Sequence, residues 1–254
     1  MFDGDENYYF YMNKGITERI ELKVQGKETL EIRITADNYL IDWGDGIQSK
    51  ECFHAYISSK EKTVIITGEK IFAFMVKGKG VVYLKTSNCR SLHHLTSSDC
   101  SLSNMELDCI NLRGLSVQNN LLKQLKVNST SLDWLICDNN NLQDLDLSYQ
   151  ERLIFLSCKF NYLEKLQLSK SNQILKNVLC TGNNLGKEEL QRIISSLPKS
   201  LPYCGYLLDC SLNPGVDEVD FSILDDMGWK VEESFNENFI NRIITKLKDM
   251  GYIS

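Results

Sequence analysis

The sequence predicts an α/β repeat: a solenoid built on a parallel sheet, with a small β-sandwich cap at its N-terminal end and a helix at its C-terminal end. Three observations predict it. Between Leu112 and Asn183 one short apolar pattern returns four times, every 20 to 22 residues. Upstream, residues 19–68 carry a strict two-residue alternation broken by turn residues. Downstream, residues 234–250 carry an apolar stripe at helical spacing. The chain divides accordingly into a cap (1–68), a solenoid with its closing unit (69–232) and an amphipathic helix (233–254).

The four copies are Leu112-Leu115-Val117-Asn120-Leu122, Leu132-Leu135-Cys137-Asn140-Leu142, Leu153-Leu156-Cys158-Asn161-Leu163 and Leu175-Val178-Cys180-Asn183-Leu185. Their form, L-x-x-L-x-L-x-x-N-x-L, resembles the signature of leucine-rich repeats. The central L-x-L has the period of a strand, so alternate side chains point inward and those between line the outer face of the sheet. The Asn follows where the chain must turn, and its amide can satisfy backbone groups of its own coil and of a neighbour. A second apolar pair (Leu125 and Val127, Leu145 and Leu147, Leu166 and Leu168) brings the chain back. No coil buries both rows alone, so coils must stack.

The cysteines follow the same phase. Cys137, Cys158 and Cys180 take the inward strand position and read as small core residues in a ladder. Cys100 stands where other copies have Asn. Nine cysteines, an odd number, phased with the repeat and with no visible signal peptide, favour reduced thiols and a cytoplasmic setting. If an upstream export signal has been removed, the expectation becomes a secreted or surface-anchored protein.

In the cap, Ile20 to Val24, Leu30 to Ile34, Tyr39 to Trp43 and Val64 to Ile66 read as four strands. Between them stand turn residues at Gly26-Lys27, Ala36-Asp37-Asn38 and Gly44-Asp45-Gly46. Asp42 and Asp45 flank a glycine-rich turn, where Asp is favoured for local hydrogen bonding, and no calcium-loop spacing follows. The run Ile41-Asp42-Trp43-Gly44-Asp45-Gly46, then His54-Ala55-Tyr56, then Thr63 to Gly68, resembles the PKD-type immunoglobulin-like domain. The resemblance implies a sandwich, with His54 and Tyr56 as packing residues.

Residues 71–107 carry two degenerate copies: Ile71, Phe74, Val76, Val81 and Leu84 with Lys79 in the Asn position, then Leu92, Leu95, Ser97, Cys100 and Leu102. The solenoid therefore starts at about residue 69 without a linker, and the cap covers its open end. Gly186 to Leu197 reads as a helix stopped by Pro198. Leu208, Cys210 and Asn213 give one more strand and turn, and Asp226-Met227-Gly228-Trp229-Lys230-Val231 a last edge strand. The order of cap, short repeats and G-W-x-V closure resembles leucine-rich repeat proteins of gut Bacteroidetes, which implies a binding scaffold and no activity. Last, Ser234 and Glu237 form a capping box before the stripe Phe235, Phe239, Ile240, Ile243, Ile244, Leu247 and Met250, with Gly251 as a stop. Such a helix folds back on the solenoid or serves a partner or self-association.

A net charge of −6 with 24% charged residues offers no basic field for nucleic acid or an anionic membrane. No apolar run approaches the length of a membrane helix. The chain has three histidines (His54, His93, His94) and none of the H-E-x-x-H, P-loop, G-x-G-x-x-G, G-x-S-x-G or C-x-x-C patterns. A cysteine nucleophile paired with His93 or His94 is disfavoured, because buried thiols are inert. No catalytic residue, cofactor or metal ligand is assigned. The outer face of the sheet is more informative. Its N-terminal copies carry small and polar residues, whereas Trp134, Ile136, Phe155 and Leu179 cluster in the later ones, with Asp138 and Lys159 as an expected rim and His94 further along. This pattern predicts an exposed surface for an unknown protein partner, unless the C-terminal helix covers the patch, with an exported cell-surface or carbohydrate-binding protein as the alternative.

Overall fold

The structure, a computed structural model, describes residues 17–199 and 205–232 together with residue 245. The repeat pattern becomes a run of short parallel strands: β7 (His94–Thr96), β9 (Gly114–Ser116), β10 (Trp134–Ile136), β12 (Phe155–Ser157), β14 (Asn177–Leu179), β15 (Tyr206–Asp209) and β16 (Trp229–Glu232). Each pairs in register with the next coil, Leu115 beside Leu135, Leu156 and Val178. The side chains expected inward are fully buried. The return side has strands of its own. There β8 (Asn104–Glu106) continues onto the cap, and β11 (Asp144–Leu147) pairs with β13 (Lys165–Leu168).

The N-terminal strands are β1 (Glu18–Val24), β2 (Thr29–Asp42), β3 (Gln48–Ser49), β4 (Phe53–Ala55), β5 (Lys62–Lys77) and β6 (Val81–Ser87). They belong to the same 14-stranded sheet as the repeats, in the order β16-β15-β14-β12-β10-β9-β7-β5-β1-β6-β8. The path runs from the first outer strand, β7, through the cap to the first return strand, β8. Both open edges of the first coil are thereby hydrogen-bonded, which removes the unpaired edge a solenoid end otherwise presents.

Two expected boundaries resolve differently. Ala36-Asp37-Asn38 is not a turn, because β2 continues through it as one 14-residue strand. Pairing with β5 resumes on the far side, with Thr35 opposite Ala73 and Ala36 opposite Ile71, so the extra residue Phe72 forms a bulge. Lys70, at φ 50°, bends β5 at the same place and pairs with Asp37 at 2.8 Å. The expected division between residues 68 and 69 falls inside β5. Its first half pairs with β1, and its second half carries Ile71, Phe74 and Val76 beside β7 in repeat register. The degenerate first copy is thus a true coil, and cap and solenoid share a strand.

Glu18 fastens this junction. Its buried carboxylate accepts the backbone N–H of Ile71 and that of Ser91, the latter at 2.6 Å. At the other end, α1 (Lys187–Ser196) buries Leu190, Ile193 and Ile194. A short α2 (Ser222–Met227) ends on left-handed Gly228 and feeds β16. Trp229 packs edge-on against Tyr206 and donates its indole N–H to Pro198 O at 2.7 Å, closing the last coil. The stretch from Ser234 to Met250, with its capping box, lies outside the described residues apart from Thr245, which is helical and exposed.

Candidate functional site

The repeat builds the outer face by locking every coil to its predecessor from inside. Asn140 shows how. Its Oδ1 accepts Leu122 N–H at 3.0 Å, while its Nδ2 donates to Val117 O at 2.9 Å and to Cys137 O and Asp138 O at 3.2 Å. Asn120, Asn161, Asn183 and Asn213 repeat the scheme. In the coil without Asn, the Cys100 thiol lies 3.5 Å from Ser98 O and 3.8 Å from Val76 O, where an amide would donate. A second ladder, not anticipated from the sequence, runs three residues before each first leucine: Cys89, Cys109, Ser129, Gln150 and Asn172, all buried. Ser129 Oγ donates within reach of Ile110 O and Leu112 O, and Asn172 Nδ2 donates to Leu153 O at 2.8 Å. Its varied residue types hide it from a search for one repeated letter.

Cys137, Cys158 and Cys180 are fully buried in the inward position, with Cys210 next in line. Burial pushes the first three thiols well above their ordinary range. They are protonated core side chains at any physiological pH.

On the outer face, strand register sets Trp134 beside Phe155 and Ile136 beside Ser157, one row over. Leu179 follows in Ile136's row beyond Ser157. The sequence missed what makes room for the indole. A Cβ on Gly114 would lie 2.1 Å from Trp134 Cζ2, so only glycine fits there. Across that gap the rings of His94 and Trp134 lie parallel, 6.1 Å apart. Burial, with the neighbouring His93 and Arg113 charges, lowers the His94 pKa, so the ring is neutral at neutral pH.

The expected exposure of this face is not what the structure shows. Trp134, Ile136, Phe155 and Leu179 are 3%, 1%, 3% and 0% exposed, as buried as the core. Asp138 and Lys159 are no rim either. They form a buried pair, with Nζ 3.5 Å from the Asp138 carboxylate, in the middle of the sheet. Asp138 also accepts Ser157 Oγ at 2.6 Å and Lys159 N–H at 2.8 Å. Burial raises the Asp138 pKa against the pull of Lys159. Sequence alternation reports which way a side chain points from its own sheet, not whether something lies over it. His94 alone of the seven expected residues is half-exposed.

The glycine-rich turn of the cap is closed by its own chain. Asp42 accepts Gly44 N–H and Gln48 Nε2, and Asp45 accepts Ile47 N–H and meets His54 Nε2 at 2.7 Å. His54 stacks on Trp43 at 4.7 Å, and Tyr56 donates to Trp43 O at 2.8 Å. All four carboxylate oxygens thus have partners within the cap. Among the described residues, no cluster of three or more His, Cys, Asp and Glu has the arrangement of a metal site, and no helix is long and apolar enough to cross a membrane.

Parallel strands in register, one per coil, with a buried Asn closing five successive turns from Asn120 to Asn213, are the architecture of a leucine-rich repeat solenoid. No protein-family model and no curated protein matches the chain. Among solved structures it is similar to YopM, a leucine-rich effector protein from Yersinia pestis, at 26% identity and TM-score 0.41 over 50% of this chain and 33% of that one. It is similar to InlJ from Listeria monocytogenes, whose functional domain includes a cysteine ladder, at 25% identity and TM-score 0.35 over 54% and 38%. It also resembles the Listeria monocytogenes internalin inlF at 17% identity and TM-score 0.35, over 59% of this chain and 56% of that one. The chain thus spans about a third of the first two and just over half of the third. The repeat assignment stands on the chain's own geometry.

Proposed function

We propose that the chain is a non-enzymatic interaction scaffold that engages a protein partner through the outer face of its parallel sheet. Trp134, Ile136, Phe155 and Leu179 serve as the apolar anchor, with Asp138, Lys159 and His94 around it. One observation carries the reading. These four side chains stand on the side turned away from the solenoid interior, where stacking coils has no use for them, yet register gathers them into one cluster. Large aromatic anchors of this kind dominate interface energetics. The interlocked Trp43, His54 and Tyr56 support a PKD-like reading of the cap, and the order of cap, repeats and closing strand supports kinship with the Bacteroidetes proteins. Core-phased cysteines support a reducing, cytoplasmic setting.

A photo-crosslinking residue in place of Ile136 tests the face. It should trap a protein partner in source-cell extract, whereas the same residue in place of Ile110, exposed on the coil edge, should trap none. Equal trapping at both positions, or trapping of a glycan-bearing surface component alone, overturns the reading.

A further inference from the structure

We propose that Asp209 and Glu232 form a cation site, which takes a hard divalent ion, Ca2+ or Mg2+, between the last two strands of the sheet. The site stands whether or not the outer face binds a partner.

The face holds two buried carboxylates with different surroundings. Asp138 has Lys159 Nζ 3.5 Å away. Asp209, one strand beyond Leu179 in the same outward row, is 0% exposed. Its Oδ1 accepts Ser211 N–H at 3.2 Å and the Ser211 hydroxyl at 2.7 Å. Its Oδ2 is buried with no hydrogen-bond partner. Register sets a second acid beside it, since Asp209 lies opposite Glu232 on β16. Glu232 Oε2 is likewise buried and without a partner. Burial, and then the Asp209 charge, raise the Glu232 pKa, so the two groups stand within each other's field. Like charges directly opposite on neighbouring strands repel, and a buried carboxylate without a cation is strongly destabilising. Among the described residues no Lys, Arg or His supplies that cation. A positive ion between the two carboxylates removes both penalties.

Geometry and donor type select the ion. Neighbouring strands lie about 4.8 Å apart. An ion held at about 2.4 Å from one oxygen of each carboxylate spans up to about the same distance. Hydroxyl oxygens stand close by: Ser211 Oγ against Asp209, and Thr181 Oγ1 3.1 Å from Ser211 Oγ, both buried. The set holds two acids and no third His, Cys, Asp or Glu. Carboxylate and hydroxyl oxygens, without nitrogen or sulfur, suit a hard cation that keeps part of its water shell. Entry lies at the edge of the sheet, where Glu232 is half-buried on the terminal strand β16. The bound ion ties β16 to β15 through side chains, in addition to their backbone ladder. The turn acids Asp42 and Asp45 offer no equivalent, because each of their oxygens already has a partner.

Calorimetric titration of the full, EDTA-treated chain with CaCl2 or MgCl2 at fixed ionic strength tests the site, together with thermal unfolding in each ion. One of the two ions should bind with one-to-one stoichiometry and raise the melting temperature by several degrees. Asp209→Asn should weaken binding at least tenfold and Glu232→Gln several-fold, while Asp45→Asn in the cap should change nothing. In EDTA, Asp209→Asn should melt at or above the wild type, because the uncompensated charge is gone. Should Asp209→Asn not fold, Glu232→Gln carries the test. Tb3+ emission from the unaltered chain, displaced by added Ca2+, then reads binding without any substitution. No response to either ion, an equal response in Asp209→Asn, or loss of binding in Asp45→Asn each overturns the proposal. So does an Asp209→Asn variant that melts lower by the same amount with and without ion, which would make the carboxylate a structural acceptor only. Stabilisation by acid with no response to the ions overturns it as well, and makes the two acids a proton-sharing pair.

Discussion

The inside of the solenoid and the part of the outer face around Trp134, Ile136, Phe155 and Leu179 are equally buried, and for different reasons. Inside, the apolar residues are covered by the coils on either side, and the Asn ladder is bonded to groups one repeat away, as with Asn140 and Leu122 N–H. Closure there is a property of the repeat and follows from stacking. Outside, nothing in the repeat places atoms above Trp134 or Leu179, and among the described residues the polar side chains bond sideways, as Asp138 does with Ser157 and Lys159. Changes inside should therefore threaten the fold. Changes on the face should threaten occupancy, except where they strand a charge.

The largest expected effect lies inside. Cys158→Asp places an unpaired carboxylate in the ladder and should prevent cooperative folding, because a stranded buried charge costs several kcal/mol. Loss of the thermal transition by circular dichroism checks this. In the wild-type protein Cys137, Cys158 and Cys180 should resist alkylation until denaturant is added.

Next comes the buried pair on the face. Lys159→Met leaves Asp138 without its cation and should cost about 3–5 kcal/mol, whereas adding Asp138→Asn should restore most of the loss. Urea titrations of the four-member cycle measure it. The sign with pH is opposite to that of an exposed carboxylate. The folded-state pKa of Asp138 is raised by burial, so the native state binds its proton first. In the Lys159→Met protein, stability should then rise as pH falls toward the ordinary carboxylate pKa of about 4. A fall over that window would mean Asp138 is solvated and the face open.

Third, Asn140→Ala strands one amide and three carbonyls and should cost about 2–3 kcal/mol. Asn119→Ala, one position away from Asn120 and exposed, should cost about 1 kcal/mol. Its backbone sits at φ 56° and its side chain donates to Asp99 at 2.6 Å, and a left-handed backbone suits Asn better than Ala. Asn119→Gly should be milder still. Equal losses at 119 and 140 would show that the ladder is not the internal lock described.

The smallest expected effect sharpens the face. Gly114→Ala forces the Trp134 ring to move and should cost about 1–2 kcal/mol, but almost nothing in a Trp134→Ala background. Additive costs in that cycle would separate the glycine from the indole.

Much of the fold was legible because repetition turns a weak local pattern into a strong one. Leu135, Cys137 and Asn140 mean little alone, yet in phase with their counterparts they specify strand, inward face and turn. The Cys100 substitution and the degenerate first coil were readable by the same phase. The merging of two expected strands into β2 was not, since a bulge and a turn share the residues Ala36-Asp37-Asn38 and only pairing with β5 distinguishes them. The second ladder escaped because Cys89, Ser129, Gln150 and Asn172 share a position and not a letter.

By itself the sequence determined the repeat, its register, the inward cysteines, the Asn locks and the cluster of Trp134, Ile136, Phe155 and Leu179 on one side. All of these follow from side-chain alternation along a strand and from a fixed repeat length. Only the tertiary structure decided that cap and solenoid share β5, that Gly114 makes room for an indole, that Asp138 and Lys159 pair out of solvent on the outer face, and that this face is closed around Trp134 and Leu179. Those depend on which residues far apart in the chain come to lie side by side or one above the other, and periodicity carries no information about that.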